Sequence, residues 1–159
     1  MDIIFDEELA GRHREKAMRH PDPSAAFLLE RAAQELADRL SVVERRFETA
    51  VELHGATGIV AEEALATGRI ETIRRIETSQ DFAAANEVIE TAPLGDVPMP
   101  QASVNLVLAP LSLHLVNDLP GALFRIRHAL KPDGLMLAAI PAPAHCRNCA
   151  TSFCRLKRN

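Results

Sequence analysis

The stretch from Ser103 to Ile140 limits the fold more than any other part of the chain. SVNLVLAPL and LMLAAI are continuous apolar runs, and DLPGALFRIRHALKPDG lies between them. The middle segment sets Leu119, Leu123, Ile126 and Leu130 at helical spacing, and Pro132 to Gly134 end it. An apolar run without alternation reads as a strand buried on both faces, and two such strands joined by a helix run parallel. The pattern predicts an α/β chain with a mostly parallel sheet and helices on both faces.

The same unit recurs upstream. ETAVELH reads as a short strand, GATG as a turn, and IVAEEALATG as a helix closed by Gly68. RIETIRRIE, with Ile70, Ile73 and Ile76 alternating imperfectly with charges, predicts a second strand, and EVIE a weak third. Two lead-in helices are expected before Phe47. Residues 6–20 are polar and helix-prone, and Pro21 and Pro23 stop them before Ser24 caps the second helix. That helix repeats Phe27, Leu28, Ala32, Leu36 and Leu40 on one face.

At 159 residues and 47% hydrophobic content, one domain with its own core is expected. A net charge of −4 leaves no footprint for nucleic acid, and the lack of Trp and Tyr weakens any base-stacking platform. No run approaches the roughly 18 apolar residues of a membrane span. MDIIFDEELAGRHREK lacks the basic start and apolar run of a secretory signal. The expectation is a cytoplasmic chain without membrane contact, its cysteines reduced.

In doubly wound sheets a ligand sits on the turn after the first strand, where glycines let the backbone approach and a helix amino terminus faces it. VELHGATG is that turn, although a Gly-x-x-Gly turn between strand and helix often only reverses the chain. No Ser-His-Asp, paired-carboxylate or phosphate-loop pattern stands at a persuasive place.

From SVNLVLAPL through LKPDG to LMLAAI, the chain resembles the S-adenosylmethionine-dependent methyltransferases. LSLHLVNDLPGAL, together with IIFDEELAGRHREKA and FLLERAAQELADRL, is similar to one branch. That branch holds the complex I assembly factors with a methyltransferase-like fold and, more distantly, the malonyl-carrier-protein methyltransferase of biotin synthesis. The resemblance implies a Rossmann-like fold and S-adenosylmethionine as cofactor, and leaves the substrate open, a protein among the candidates. In the assembly-factor branch it implies hydroxylation of an arginine, so that fold and reaction are separate questions. A non-catalytic assembly or interaction protein is the alternative reading.

By resemblance, the first-strand acid is Glu52 and the glycine loop runs from His54 to Gly58, with Gly58 alone on a family glycine and Gly55 beside it giving some slack. His54 and Ala56 occupy two positions that are glycine in the family. Glu77 matches the carboxylate that takes both ribose hydroxyls, a role for an acceptor-only group. Pro93 stands at the acid expected near the adenine, with Glu90 as a neighbour, and Asn105 stands at the fourth-strand Asp. These departures are expected to cluster at one ligand site, implying a changed or lost ligand. His114 follows the fourth strand, where it either faces the cofactor or packs as an ordinary buried histidine. Asn117 and Asp118 are expected to cap the next helix. Arg69, Arg74 and Arg75 are expected on a solvated strand face, and RHREKAMRH as exposed helix.

HCRNCATSFCRLKRN holds His145, Cys146, Cys149 and Cys154, four potential soft ligands. An ordinary structural zinc site draws on two separated ligand pairs, so no metal is expected. Joining the last base of each codon to the first two of the next turns all three cysteines into leucines. One permitted translation is GTGTLPELRDVFLPAETE, similar to the family's continuation. The expected organisation is therefore helices over 1–45, a methyltransferase-like core over 46–140 truncated after its fifth strand, and an out-of-frame tail over 141–159. On that reading LMLAAI becomes a bare apolar edge through which copies associate.

Overall fold

In a computed structural model, residues 3–20, 23–141 and 151–156 are described. The elements run α1 (Glu7–Arg19), α2 (Pro23–Ser41), β1 (Phe47–Leu53), α3 (Ile59–Ala66), β2 (Ile70–Glu77), β3 (Glu90–Thr91), β4 (Val104–Pro110), α4 (Leu119–Ala129), β5 (Leu130–Pro141) and β6 (Thr151–Leu156). Short 3-10 turns at Gln80–Phe82 and Leu113–Leu115 follow β2 and β4. The sheet order is β3-β2-β1-β4-β5-β6. β1 to β5 are parallel and β6 is antiparallel to β5.

Side-chain alternation along the strands builds two cores. Ala50, Leu106, Leu108, Leu135 and Leu137 face α2 and α3, meeting Ala33, Leu36, Leu40, Val60 and Ala64. Val51, Leu53, Val107, Ala109, Met136 and Ala138 point the other way and meet Ile126 and Ala129 of α4. Helices thus cover both faces, as expected of parallel strands with apolar residues on both sides. The fold is the α/β, mostly parallel sheet anticipated from the apolar runs, in the Rossmann-like arrangement that the resemblance implies. Among the described residues no helix is long and apolar enough to cross a membrane.

Several local expectations are corrected. α2 begins at Pro23, so Ser24 lies inside its first turn rather than capping it. Phe27 is 64% exposed, off the stripe formed by Ala32, Ala33, Leu36, Ala37 and Leu40. Leu130 opens β5 instead of closing α4, because its backbone pairs with Val104 and the ladder then slips before resuming at Leu106 and Leu135. The third strand falls at Glu90–Thr91 and is only two residues long. β5 is not bare: from Met136 to Pro141 its backbone pairs with Leu156 to Thr151, which takes up the ladder groups an edge strand leaves open. His145, Cys146 and Cys149 lie outside the described residues, as do 142–144.

Asp118 caps α4 as expected, its Oδ1 accepting from the Gly121 N–H at 2.9 Å. Asp118→Ala should lower stability by about 1 kcal/mol. The measurement is urea unfolding, with a reduced midpoint at unchanged slope. Asn117 does something else. Its Oδ1 accepts from the Ile4 and Phe5 N–H groups at 2.9 and 2.8 Å, and its Nδ2 donates to the Phe5 carbonyl and to Glu7, both at 2.9 Å. It fastens the start of α1 rather than the start of α4.

Candidate functional site

The carboxyl ends of β1, β2 and β4 meet where the strand order reverses between β1 and β4, and α1 lies across them. Ser112 Oγ donates to the Leu53 carbonyl at 3.2 Å and ties the ends of β4 and β1 together. The register that pairs β1 with β2 sets Glu52 opposite Arg75. Both are buried, and Arg75 Nε donates to Glu52 Oε2 at 2.7 Å. From there the Arg75 guanidinium reaches the Ala56 carbonyl at 2.6 Å, the Phe82 carbonyl at 3.2 Å and Glu87 at 2.8 Å. It also lies 3.5 Å from Glu77 Oε1.

The loop above this cation is shaped by it. A side chain at Gly55 would come within 2.1 Å of Glu52 Oε1, so only glycine lets the loop pass over that carboxylate. Gly58 adopts φ 79 over the Arg75 guanidinium and is the N-cap of α3. His54 and Ala56 adopt φ 54 and φ 64, the left-handed region where a Cβ is strained. The backbone thus keeps a glycine-loop path with side chains at two of its left-handed positions.

Glu77, at the end of β2, is fully buried. Its Oε1 accepts from the Ala56 N–H at 2.7 Å, and its Oε2 faces Arg14 of α1 at 3.9 Å. Arg14 donates to the His54 carbonyl at 2.6 Å and lies over the Phe82 ring, 5.8 Å from its centroid. Burial raises the Glu77 pKa to about 7, with Glu52 adding repulsion and Arg14 and Arg75 opposing. Burial likewise raises that of Glu52, against Arg75. Burial opposes the charge on Arg75, but Glu52, Glu77 and Glu87 outweigh it and hold its pKa above the ordinary value. Burial lowers the pKa of Arg14 despite Glu77 and Glu52.

His54 is buried, and neither ring nitrogen finds a partner at hydrogen-bonding distance. Burial and then Arg14 lower its pKa to about 4, with Asp96 opposing weakly. His114, half-buried on the turn after β4, is shifted down by burial and by the same arginine, and its Nδ1 also lacks a partner. Glu52, Gly55, Gly58, Glu77 and His114 therefore do come together.

Other expected members separate from this group. Asn105 sits near the beginning of β4, away from the carboxyl ends, and its Oδ1 accepts from the Thr49 hydroxyl at 2.9 Å. Glu90 pairs with Arg74 at 2.7 Å on the surface. Pro93 lines a cleft of about 500 Å³ with Gly11, Glu15, Thr78 and Leu94. A second cleft, of about 470 Å³, lies on the other flank of α1, lined by Arg14, Met18, Ala56, Thr57 and Ile59. Both are of ligand-binding size.

Arg75 and Arg14 are the residues that sequence reasoning set aside, as a solvated strand face and an exposed helix. The signal for Arg75 was its place opposite an acid across adjacent parallel strands, with Glu77 two residues on and on the same face. Arg14 left no comparable signal.

The residues fit the cofactor implied by the resemblance in kind but not in access. Glu77 keeps an oxygen without a hydrogen-bond partner, as an acceptor for a diol requires. Arg14 stands against that oxygen.

A family profile described as "Methyltransferase domain" matches residues 52–138. The rat protein "Arginine-hydroxylase NDUFAF5, mitochondrial" is 32% identical over 147 residues, covering 86% of this chain and 42% of its own length. The human protein of the same name is 32% identical over 143 residues, covering 86% and 41%. The chain thus spans about two fifths of the length of these curated relatives. An S-adenosylmethionine-dependent methyltransferase from Aquifex aeolicus superposes with a TM-score of 0.62 at 11% identity, covering 85% of this chain and 76% of that one. One from Mesorhizobium loti gives 0.58 at 23%, covering 72% and 56%. These two likenesses concern the fold alone. With the profile spanning more than half of its residues, from the buried Glu52 through the fifth strand, the chain belongs to the methyltransferase-domain family.

Proposed function

We propose that the chain binds S-adenosylmethionine across the carboxyl ends of β1, β2 and β4. One observation carries this reading. Among the described residues, the buried side-chain nitrogen and oxygen atoms without a partner belong to Arg14, Glu52, His54, Glu77, Thr78 and His114, all at that crevice. Such atoms each cost about 1–3 kcal/mol when left unpaired, so their gathering in one place favours a polar ligand there. Glu77 would take the ribose hydroxyls, and the turn at Gly55 and Gly58 would bring backbone and the start of α3 to the ligand, with Glu52 beneath and His114 at the rim. The bound cofactor supplies a methyl group already activated on a sulfonium, which leaves the protein to bind, orient and exclude water. In this reading the compartment is the cytoplasm, although the curated relatives are described as mitochondrial.

The test is calorimetric titration with S-adenosylmethionine, with adenosine and 2′-deoxyadenosine as a matched pair. We expect one site of micromolar affinity for the cofactor, and weaker binding of the deoxynucleoside because it offers Glu77 one hydroxyl fewer. No saturable binding below millimolar ligand, either by the native chain or after removal of the α1 contact to Glu77, overturns the reading.

A second reading is a non-catalytic assembly or interaction protein on the same fold, or one of the arginine-hydroxylase lineage. It is favoured by the two guanidinium groups lying against Glu77 and by the side chains at His54 and Ala56. The same titration separates the non-catalytic protein from the cofactor-binding one.

A further inference from the structure

Helix α1 is held unlike the other helices. Gly11 is its only fully buried residue, and Leu9 is 41% exposed, so no apolar stripe docks it. Its attachments are polar: Asn117 at its start, an Arg19 to Asp81 ion pair at its end, and Arg14 between them. Exposed pairs of this kind contribute little, and a segment without buried apolar contacts opens more readily than the core beneath it.

Arg14 is poorly matched to the place it fills. Its Nη1 is buried without a partner, and Glu77 Oε2, the atom it faces, also lacks a hydrogen bond. The two clefts lie on opposite flanks of α1, one walled by Gly11 and Glu15 and the other by Arg14 and Met18. Arg14 lines the second cleft, and Glu77, which it faces, precedes Thr78 of the first and accepts from Ala56 of the second.

We propose that α1 is a displaceable lid over the crevice and that Arg14 is its latch: the guanidinium holds the position on Glu77 that a ligand's vicinal hydroxyls would take, so closure of α1 and occupation of the crevice exclude each other. The ligand half of this inference rests on the cofactor reading above, and the latch half does not. Opening α1 joins the cleft at Pro93 and Thr78 to the cleft at Ala56 and Thr57 through the freed Glu77 carboxylate. This gives one groove along the ends of β1, β2 and β3.

The test combines hydrogen–deuterium exchange with calorimetry on the full chain. Arg14→Ala removes the latch, and Asn117→Ala unties the start of α1 without touching Glu77. Both should raise exchange across Glu7–Arg19 roughly tenfold while leaving Val104–Pro110 unchanged. Both should also tighten S-adenosylmethionine binding on the order of tenfold, since apparent affinity scales with the open fraction. Adding the cofactor to the native chain should speed exchange in α1. Native exchange rates in α1 of Arg14→Ala overturn the latch, whatever the ligand does. Faster exchange with unchanged affinity overturns the exclusion, and faster exchange with weaker affinity assigns Arg14 to the ligand instead. Faster exchange with no binding by any of the three chains upholds the latch and removes the cofactor reading alone.

Discussion

Replacing Arg75 with methionine is expected to cost the fold about 3–5 kcal/mol, a large share of the roughly 5–15 kcal/mol by which a domain is stable. The substitution keeps most of the side chain's volume and removes its charge. Glu52 and Glu77 are then left as buried acids without their central partner, and the carbonyls of Ala56 and Phe82 lose a donor. Because the loss comes from stranded charge more than from lost packing, neutralising an acid should recover part of it. Glu52→Gln on the Arg75→Met background is expected to restore stability, giving a coupling of about 0.5–3 kcal/mol in a double-mutant cycle. Urea unfolding of the four chains is the measurement. A loss below about 1 kcal/mol for Arg75→Met would show that the ion cluster is not what holds the strand ends together.

The second large effect is a cancellation. Glu77 is raised to about 7 from an ordinary 4.5, so between those values the folded chain holds a proton that the unfolded chain has lost. Its contribution to stability is full below pH 4.5 and falls as pH rises through 7. His54 is lowered to about 4 from 6.5, so in its window the unfolded chain holds the extra proton. Its contribution is full above pH 6.5 and is lost as pH falls through 4. From pH 4.5 to 6.5 the two slopes, each about 1.4 kcal/mol per pH unit, oppose one another.

Glu77→Gln removes the falling slope. Relative to the native chain its stability should climb with pH across 4.5–7, by about 1.4 kcal/mol per unit. His54→Asn tolerates the left-handed backbone and removes the rising slope, so its relative stability should decline across 4–6.5. Both groups also feel Arg14, and Glu77 feels Glu52 and Arg75 as well, which is why the comparison is made against the native chain at each pH. Parallel profiles for the two variants would sink the account.

Much of the sheet was legible because burial on both faces leaves an unbroken apolar run, as in SVNLVLAPL and LMLAAI, and the α2 and α4 stripes follow the helical repeat. The boundary at Leu130 was not legible. That residue continues the spacing of α4, and only the ladder to Val104 claims it for a strand. Glu52, Gly55, Gly58 and Glu77, singled out through the strand-turn-helix pattern and the resemblance, lie together at the carboxyl ends of β1 and β2. The two arginines were missed because an arginine in a charged stretch reads as solvated, and how far it is covered depends on what packs against it. Arg75 is buried because Glu52 faces it from the next strand, and Arg14 is partly buried because α1 crosses strands far from it in sequence. Asn117 was read as a local cap for the same reason, since its partners are more than a hundred residues earlier.

The brevity of β3 bears on how the sheet's margin is protected. Among the described residues β2 is paired with it only at Ile76 and Glu77, and from Ile70 to Arg75 its outer backbone has no strand partner among them. A strand from another molecule would lie alongside Glu71 and Arg74, both solvent-exposed, and would have to strip water from their charges. These two residues act as gatekeepers, keeping the open margin from templating cross-β growth while leaving the buried alternation of Ile70 and Ile76 intact.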